Sequence, residues 1–310
     1  MVTKPPALKT GDTIGIVTLG SPLAAEQIDL GIDILQKMGY KIVVGDYVYA
    51  ANGFLSAGPR ERASDLMKMF ENPEVNMILS TRGGVGVEGI LPYLDFSTIS
   101  RNPKILSGYS DITILQNVLV EYANLLSFQS LMLLDFDKDI PQYNLDQFFS
   151  ATSVREVPWQ IENPPEILKT SLVPGNVSGM LIGGNLTSFI GTLGTPYEVD
   201  TTGRILILEE THEPANTFYR YMTHLAMARK LDDCVGIIMG ECTGCEAAYG
   251  KTYDDIIQEF LVPLGKPLMT NVATAHGTYK AAIPLGATVN LNTYSNTITV
   301  MESVVLDSVI

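Results

Sequence analysis

Gly108-Tyr109-Ser110-Asp111 places a serine directly after the apolar run Ile105-Leu106 and directly before a helical stretch. A tight bend between strand and helix would expose the hydroxyl and point the next backbone N–H groups outward. A nucleophilic serine needs that placement, because the oxyanion forming beside it then meets fixed donors. The pattern is half of G-x-S-x-G, with Ile112 where the second glycine would stand. A serine there also serves as a helix cap, so both readings stay open on these four residues alone.

Two more segments could carry chemistry. Thr81-Arg82-Gly83-Gly84-Val85-Gly86 follows the apolar run Met77 to Ser80. Clustered glycines let backbone approach a ligand and present N–H groups to an anion, or simply form a tight turn. The first such turn, Thr18-Leu19-Gly20-Ser21-Pro22, lacks G-x-G-x-x-G, and the chain has no Walker sequence, so a dinucleotide or nucleotide site fits poorly. Leu208-Glu209-Glu210-Thr211-His212-Glu213 puts carboxylates at another strand end, where they could orient a base or start a solvated helix. Of the three histidines, His224 lies within a helix and His212 among carboxylates. His276 sits in a loop before Pro284-Leu285-Gly286 and could reach a neighbouring site. Cys242-Thr243-Gly244-Cys245 has metal or redox spacing, but no second cysteine pair or H-x-x-H run accompanies it, so neither a metal site nor a disulfide is expected.

The elements that must position these groups follow from periodicity. Thr13 to Val17, Lys41 to Val44, Met77 to Ser80, Lys104 to Gly108 and Leu125 to Phe128 read as strands. Between them lie helices, one capped by Ser21-Pro22 with Ile28, Ile32 and Leu35 on a face, another opened by Pro59 with Ala63, Leu66 and Phe70. Strand and helix alternating in this way imply a parallel sheet with right-handed crossovers. Residues 150–178, with Pro158, Pro164, Pro165 and Pro174, show neither period and read as a linker. Beyond them come a Gly183-Gly184-Asn185 turn into a helix, strands at Arg204 to Leu208 and Cys234 to Met239, helices at Ala215 to Lys230 and Tyr253 to Leu261, and a hairpin of Ala287 to Asn292 with Thr297 to Met301.

The chain has 310 residues, enough for about two domains at roughly 150 residues each. Its 46% apolar and 17% charged residues exclude a disordered or collagenous protein. A net charge of −14 repels phosphate backbones and anionic lipids, so neither nucleic acid nor a membrane surface is an expected partner. The N-terminus has no continuous apolar stretch that would make a signal peptide, no window would span a membrane, and three cysteines are too few for a disulfide framework, which fits a cytoplasmic location.

In order along nearly the whole chain, these segments resemble the serine LD-carboxypeptidase family. That family includes cytoplasmic murein-recycling carboxypeptidases and microcin C immunity peptidases. The resemblance rests on Leu8-Lys9-Thr10-Gly11-Asp12-Thr13-Ile14, Arg82-Gly83-Gly84-Val85-Gly86, Gly108-Tyr109-Ser110-Asp111-Ile112-Thr113, Gly183-Gly184-Asn185-Leu186, Gly194-Thr195-Pro196, Leu208-Glu209-Glu210 and Ala275-His276 with Pro284-Leu285-Gly286. It implies a catalytic Ser110, Glu209 and His276, an oxyanion hole from the backbone N–H groups of Gly84 and Asp111, and substrate contacts from Arg82, Gly83 and Asn185. It implies no metal and no cofactor.

The implied fold is α/β. A doubly wound, flavodoxin-like parallel-sheet domain with a nucleophile elbow spans 1–150, a linker 151–178, and an α/β domain supplying acid and base 179–310. The implied reaction is hydrolysis of an amide between an L-centre and a terminal D-amino acid in a small peptide, by a homodimer. The apolar tail Val304 to Ile310 could serve a dimer or pack within the chain. Against the family pattern, Val85 replaces a tyrosine, Ala275 replaces a glycine, and Ser127 to Met132 and Ala215 to Arg220 depart from the usual segments, as expected of pocket-lining positions. A microcin-type peptidase that cuts an aminoacyl-nucleotide linkage, with Trp159 as a platform for the base, is one alternative; Trp159 packed between the domains is the competing placement. A non-catalytic protein closing on a small ligand, with Ser110 and Glu209 as caps, is the other alternative.

Overall fold

The computed structural model describes residues 2–307. In chain order its strands are β1 (Thr13–Val17), β2 (Lys41–Val44), β3 (Val75–Ser80), β4 (Ile105–Gly108), β5 (Ser127–Gln129), β6 (Trp159–Gln160), β7 (Thr170–Val173), β8 (Asn176–Asn185), β9 (Ile205–Thr211), β10 (Gly236–Thr243), β11 (Leu268–Val272), β12 (Ile283–Leu285), β13 (Thr288–Asn292) and β14 (Thr297–Val300). The helices are α1 (Ala25–Lys37), α2 (Pro59–Glu71), α3 (Phe96–Arg101), α4 (Ile112–Val118), α5 (Gln142–Thr152), α6 (Leu186–Ile190), α7 (Ala215–Met227), α8 (Lys230–Asp233) and α9 (Tyr253–Phe260).

Two sheets result. The first runs β12-β5-β4-β3-β1-β2, parallel from β2 to β5, with β12 antiparallel at the edge. The order 2-1-3-4-5 is that of a doubly wound flavodoxin-like sheet, whose ligands bind beyond the carboxyl ends of the strands. Its interior strand β1 is buried throughout, as a parallel strand covered on both faces must be. The second sheet runs β6-β14-β13-β8-β9-β10-β11-β7, with β8 to β11 parallel and antiparallel strands on both flanks. One buried apolar cluster links the sheets, from Ile14, Ile16 and Phe128 to Leu181, Ile207 and Val289.

Several local expectations give way to tertiary pairing. Ser21 does not cap α1, which begins at Ala25; its N–H donates to the Gly83 carbonyl and its hydroxyl accepts from the Val85 N–H, bracing the glycine turn. The proline-rich segment carries β6 and β7, the two opposite edges of the second sheet. Gly183 and Gly184 continue β8 rather than turning, at φ of 115° and 130°. They are glycines because a Cβ at 183 would lie 2.0 Å from the Ile207 carbonyl oxygen, and one at 184 would lie 2.5 Å from the Thr113 hydroxyl. Ser127 to Met132 are all buried, in β5 and the segment after it. Trp159 is buried on β6 in the cluster shared by both sheets, with the Arg155 guanidinium 4.1 Å from its ring centroid. Val304 and Val305 of the tail are buried within the chain; Ser308, Val309 and Ile310 lie outside the described residues.

Candidate active site

The serine stands on a strained bend. β4 ends at Gly108, where a Cβ would lie 2.9 Å from the Ile112 side chain, so only glycine lets the chain turn this sharply into α4. Ser110 then takes φ of 63°, a left-handed conformation that costs a non-glycine residue roughly 1–2 kcal/mol and is typical of residues held for function. The glycine turn after β3 closes over it: a Cβ on Gly83 would lie 2.6 Å from Ser110 Cβ and 2.9 Å from its Oγ. Gly84 has φ of 90°, and a Cβ there would strike Ser21. Among the described residues neither the Gly84 N–H nor the Asp111 N–H has an acceptor, and Ser110 Oγ has no hydrogen-bond partner.

The second sheet brings up a carboxylate and an imidazole. Near the end of β9, successive side chains leave opposite faces. Glu209 Oε2 lies 2.7 Å from His276 Nδ1, with the carboxylate almost fully buried. A carboxylate only accepts, so Nδ1 carries the proton and Nε2 presents its lone pair. Glu210 turns the other way. It accepts from Asn185 Nδ2 at 3.0 Å, the Thr187 N–H at 2.9 Å, the Thr187 hydroxyl at 2.6 Å and the Thr211 N–H at 2.9 Å. Burial raises its pKa above the ordinary carboxylate value, against the Thr187 hydroxyl, the Thr211 N–H and the Asn185 amide. The His276 ring meets the edge of Tyr109, the residue before the serine, with centroids 5.1 Å apart and planes at 87°. Ala275 before it has φ of 55°, a conformation that glycine adopts without strain.

Asp111 joins the two halves. Its Oδ2 accepts from the Val87 N–H at 2.7 Å, beside the glycine turn, and its Oδ1 from the Ser188 hydroxyl at 3.3 Å, on α6. Burial pushes its carboxyl up to about 6. Asn185 is also buried and structural: it accepts from the Ser188 N–H and hydroxyl while donating to Glu210, so its side chain caps α6. Arg82 is half-buried, and among the described residues its guanidinium has no hydrogen-bond or ion-pair partner. A cavity of about 580 Å³ lined by Tyr40, Asp146 and Phe149 shares none of these residues.

The cysteines correct the sequence reading. Cys242 and Cys245 form a disulfide across a turn, with Cα atoms 5.4 Å apart. Gly244, at φ of 68°, bends the chain, and the Cys245 N–H donates to the Cys242 carbonyl. Two residue groups that sequence reasoning missed stand behind the histidine. Lys280 donates to the Gly277 carbonyl, and Asp135 accepts from the Tyr109 hydroxyl at 3.0 Å.

A doubly wound sheet with a strained serine at one strand end, and beside it a carboxylate on a second, mixed sheet paired with an imidazole from the loop after β11, is the architecture of a two-domain serine hydrolase. Comparison with known proteins defines it further. Residues 14–130 match the LD-carboxypeptidase N-terminal domain family, and residues 178–291 the LD-carboxypeptidase C-terminal domain family. A probable murein peptide carboxypeptidase of Bacillus subtilis (strain 168) is 32% identical over 95% of this chain and 93% of its own length. The microcin C7 self-immunity protein MccF of Escherichia coli is 26% identical over 95% of this chain and 94% of its own. The solved wild-type apo structure of a microcin C7 self-immunity protein MccF superposes with a TM-score of 0.91 at 23% identity, covering 98% of this chain and 100% of the other. The chain belongs to the LD-carboxypeptidase family and is an enzyme of carboxypeptidase type.

Proposed function

We propose that this enzyme hydrolyses the amide between an L-centre and the terminal D-amino acid of a murein tetrapeptide, using Ser110, His276 and Glu209. The 2.7 Å Glu209–His276 pair, brought against the Ser110 bend from a different sheet, carries this reading. Ser110 Oγ attacks the scissile carbonyl and its proton passes to His276 Nε2. The oxyanion is met by the acceptor-free N–H groups of Gly84 and Asp111. Collapse of the intermediate returns the proton to the departing amine and leaves an acyl-serine, which water hydrolyses with His276 again as base. Glu209 holds the imidazole with Nε2 outward and stabilises its cation. Gly83 packs on the nucleophile, and the unpartnered Arg82 suits the terminal carboxylate of the substrate. Residues up to about 150 thus supply the nucleophile, and 179–310 the acid and base. The charge of −14 favours a small peptide over nucleic acid as partner. Among the described residues no helix is long and apolar enough to cross a membrane. The same reading makes the enzyme a cytoplasmic homodimer, which fractionation and sedimentation test.

The purified enzyme should release terminal D-alanine from a murein tetrapeptide, and Ser110→Ala should lose that release by a factor of roughly 10⁴ or more. No release by the wild-type enzyme, with cleavage of a processed microcin analogue instead, would move the substrate to an aminoacyl nucleotide.

A further inference from the structure

We infer that Lys280 is a positioning residue for the His276 base, setting where the imidazole stands and opposing its positive charge. This rests on the Ser110–His276–Glu209 reading above.

Lysine is almost never fully buried without a partner, yet Lys280 is only 8% exposed. Its ammonium donates to the carbonyl of Gly277, the residue after His276, at 2.6 Å. It lies 3.8 Å from Asp135 Oδ1 and 5.4 Å from the ring centroid of Tyr109. Tyr109 in turn donates its hydroxyl to Asp135 and sets its ring edge against His276. One ammonium therefore touches the residue after the base, the residue before the nucleophile, and the carboxylate that anchors the latter. The backbone around it is equally tied. Asn144 accepts from the Lys280 N–H at 2.8 Å and donates to the Thr278 carbonyl at 3.0 Å, so the loop is held to α5 from the other side.

Position and charge act separately. The hydrogen bond to Gly277 fixes the loop, and misplacing a reacting group by about 1 Å costs roughly 10²-fold in rate. The charge is held on the carbonyl of the residue after His276, whose imidazole becomes cationic during the reaction. Glu209 is bonded to that imidazole, Asp135 accepts from the Tyr109 hydroxyl and interacts electrostatically with His276 itself, Glu241 packs its carboxylate against Gly277, and Arg82 lies toward Tyr109. Among these groups Lys280 is the cation tied directly to the His276 loop. It keeps the carboxylates from holding the imidazolium so firmly that the base never becomes free.

The test measures pH profiles of kcat/KM for tetrapeptide cleavage and, in parallel, of the rate of fluorophosphonate labelling at Ser110, which needs no peptide. Lys280→Met should lower the plateau kcat roughly 10–100-fold with little change in KM, and move the acid limb of both profiles upward by about half a pH unit or more. Lys280→Gln keeps a donor for Gly277 without the charge, so its plateau should stay within a few-fold of wild type while its acid limb moves as in Lys280→Met. Lys280→Arg should restore the limb. Lys104 is a buried lysine that donates to the Asn72 and Val75 carbonyls, remote from the site; Lys104→Met should lower Tm and leave the limb in place. Coincident acid limbs in wild type and Lys280→Gln would overturn the charge role, and an unchanged plateau in a folded Lys280→Met would overturn the positioning role. Should Lys280→Met fail to fold, Lys280→Gln and Lys280→Arg still decide the charge role, and Lys280→Gln losing as much plateau rate as a misplaced base would overturn the positioning role. Absence of label at Ser110 together with undiminished cleavage by Ser110→Ala overturns the triad itself, a different failure.

Discussion

Ser110 and Glu209 both stand at carboxyl ends of parallel strands, but their surroundings differ in kind. Around Ser110 the structure is made of backbone: Gly108, Gly83 and Gly84 sit where a Cβ would collide, and the serine is held at a positive φ. Around Glu209 it is made of buried and half-buried charge: Glu209, Glu210, Glu241, Asp135 and Lys280 lie within or beside the His276 loop and its supports. The first region places atoms by excluding alternatives, and tolerates no added volume. The second places them by hydrogen bonds and opposed charges, and still leaves Glu209 Oε1 and Glu241 Oε2 buried without a hydrogen-bond partner among the described residues. A nucleophile and its oxyanion donors need fixed distances, whereas a base needs a tuned proton affinity.

With the nucleophile itself left in place, the largest effect should come from the charged half. Glu209→Gln should lower kcat roughly 10³–10⁴-fold, because the imidazolium formed in the transition state loses its counter-charge. Glu210→Gln should leave activity within a few-fold but lower Tm by several degrees, since one face of the new amide presents N–H groups to donors. Steady-state kinetics and thermal melts on both variants check this. A crippled Glu210→Gln beside a normal Glu209→Gln would reverse the assignment of the acid.

Gly83→Ala tests the steric half. The new Cβ would fall 2.6 Å from Ser110 Cβ, so something must shift, and kcat should drop roughly 10²–10³-fold while kinetics, not Tm, carries most of the change. Near-normal cleavage and labelling by this variant would break the claim that volume exclusion sets the nucleophile.

The smallest effect concerns Asp111, where the two regions meet. Its folded-state carboxyl, raised to about 6 by burial, holds a proton that the unfolded chain releases near 4. The folded state therefore binds more protons between about pH 4 and 6, and stability falls as pH rises through that window. Asp111→Asn removes the buried charge but keeps an acceptor for Val87. Variant-minus-wild-type stability should rise by roughly 2–3 kcal/mol from pH 4 to pH 7, read from denaturant melts across pH. A flat difference would mean the charge is not desolvated, and the contrast between the halves would sharpen to exclude Asp111 from the charged one.

What was legible in the sequence was local. Periodicity and β-rich runs marked β1 to β5 of the first sheet and β9, β10, β13 and β14 of the second, because each element buries one face regardless of its partner, whereas β8, β11 and β12 were not read. Gly108, Ser110, Gly83 and Gly84 betrayed the bend and the turn for the same reason: positive φ and close approach are demands on single residues. The alternation at a strand end said that Glu209 and Glu210 face apart. Tertiary structure alone decided which of them meets His276, since the partner lies 67 residues on. It also turned the proline-rich segment into strands, because β6 and β7 are too short to show a period and exist through pairing with β14 and β11, more than 90 residues away. Lys280 carried no local signal at all. Its meaning depends on Tyr109 and Asp135 meeting an ammonium already bonded to the nearby Gly277, and only a folded chain brings those two from so far along the sequence to within a few ångström of it.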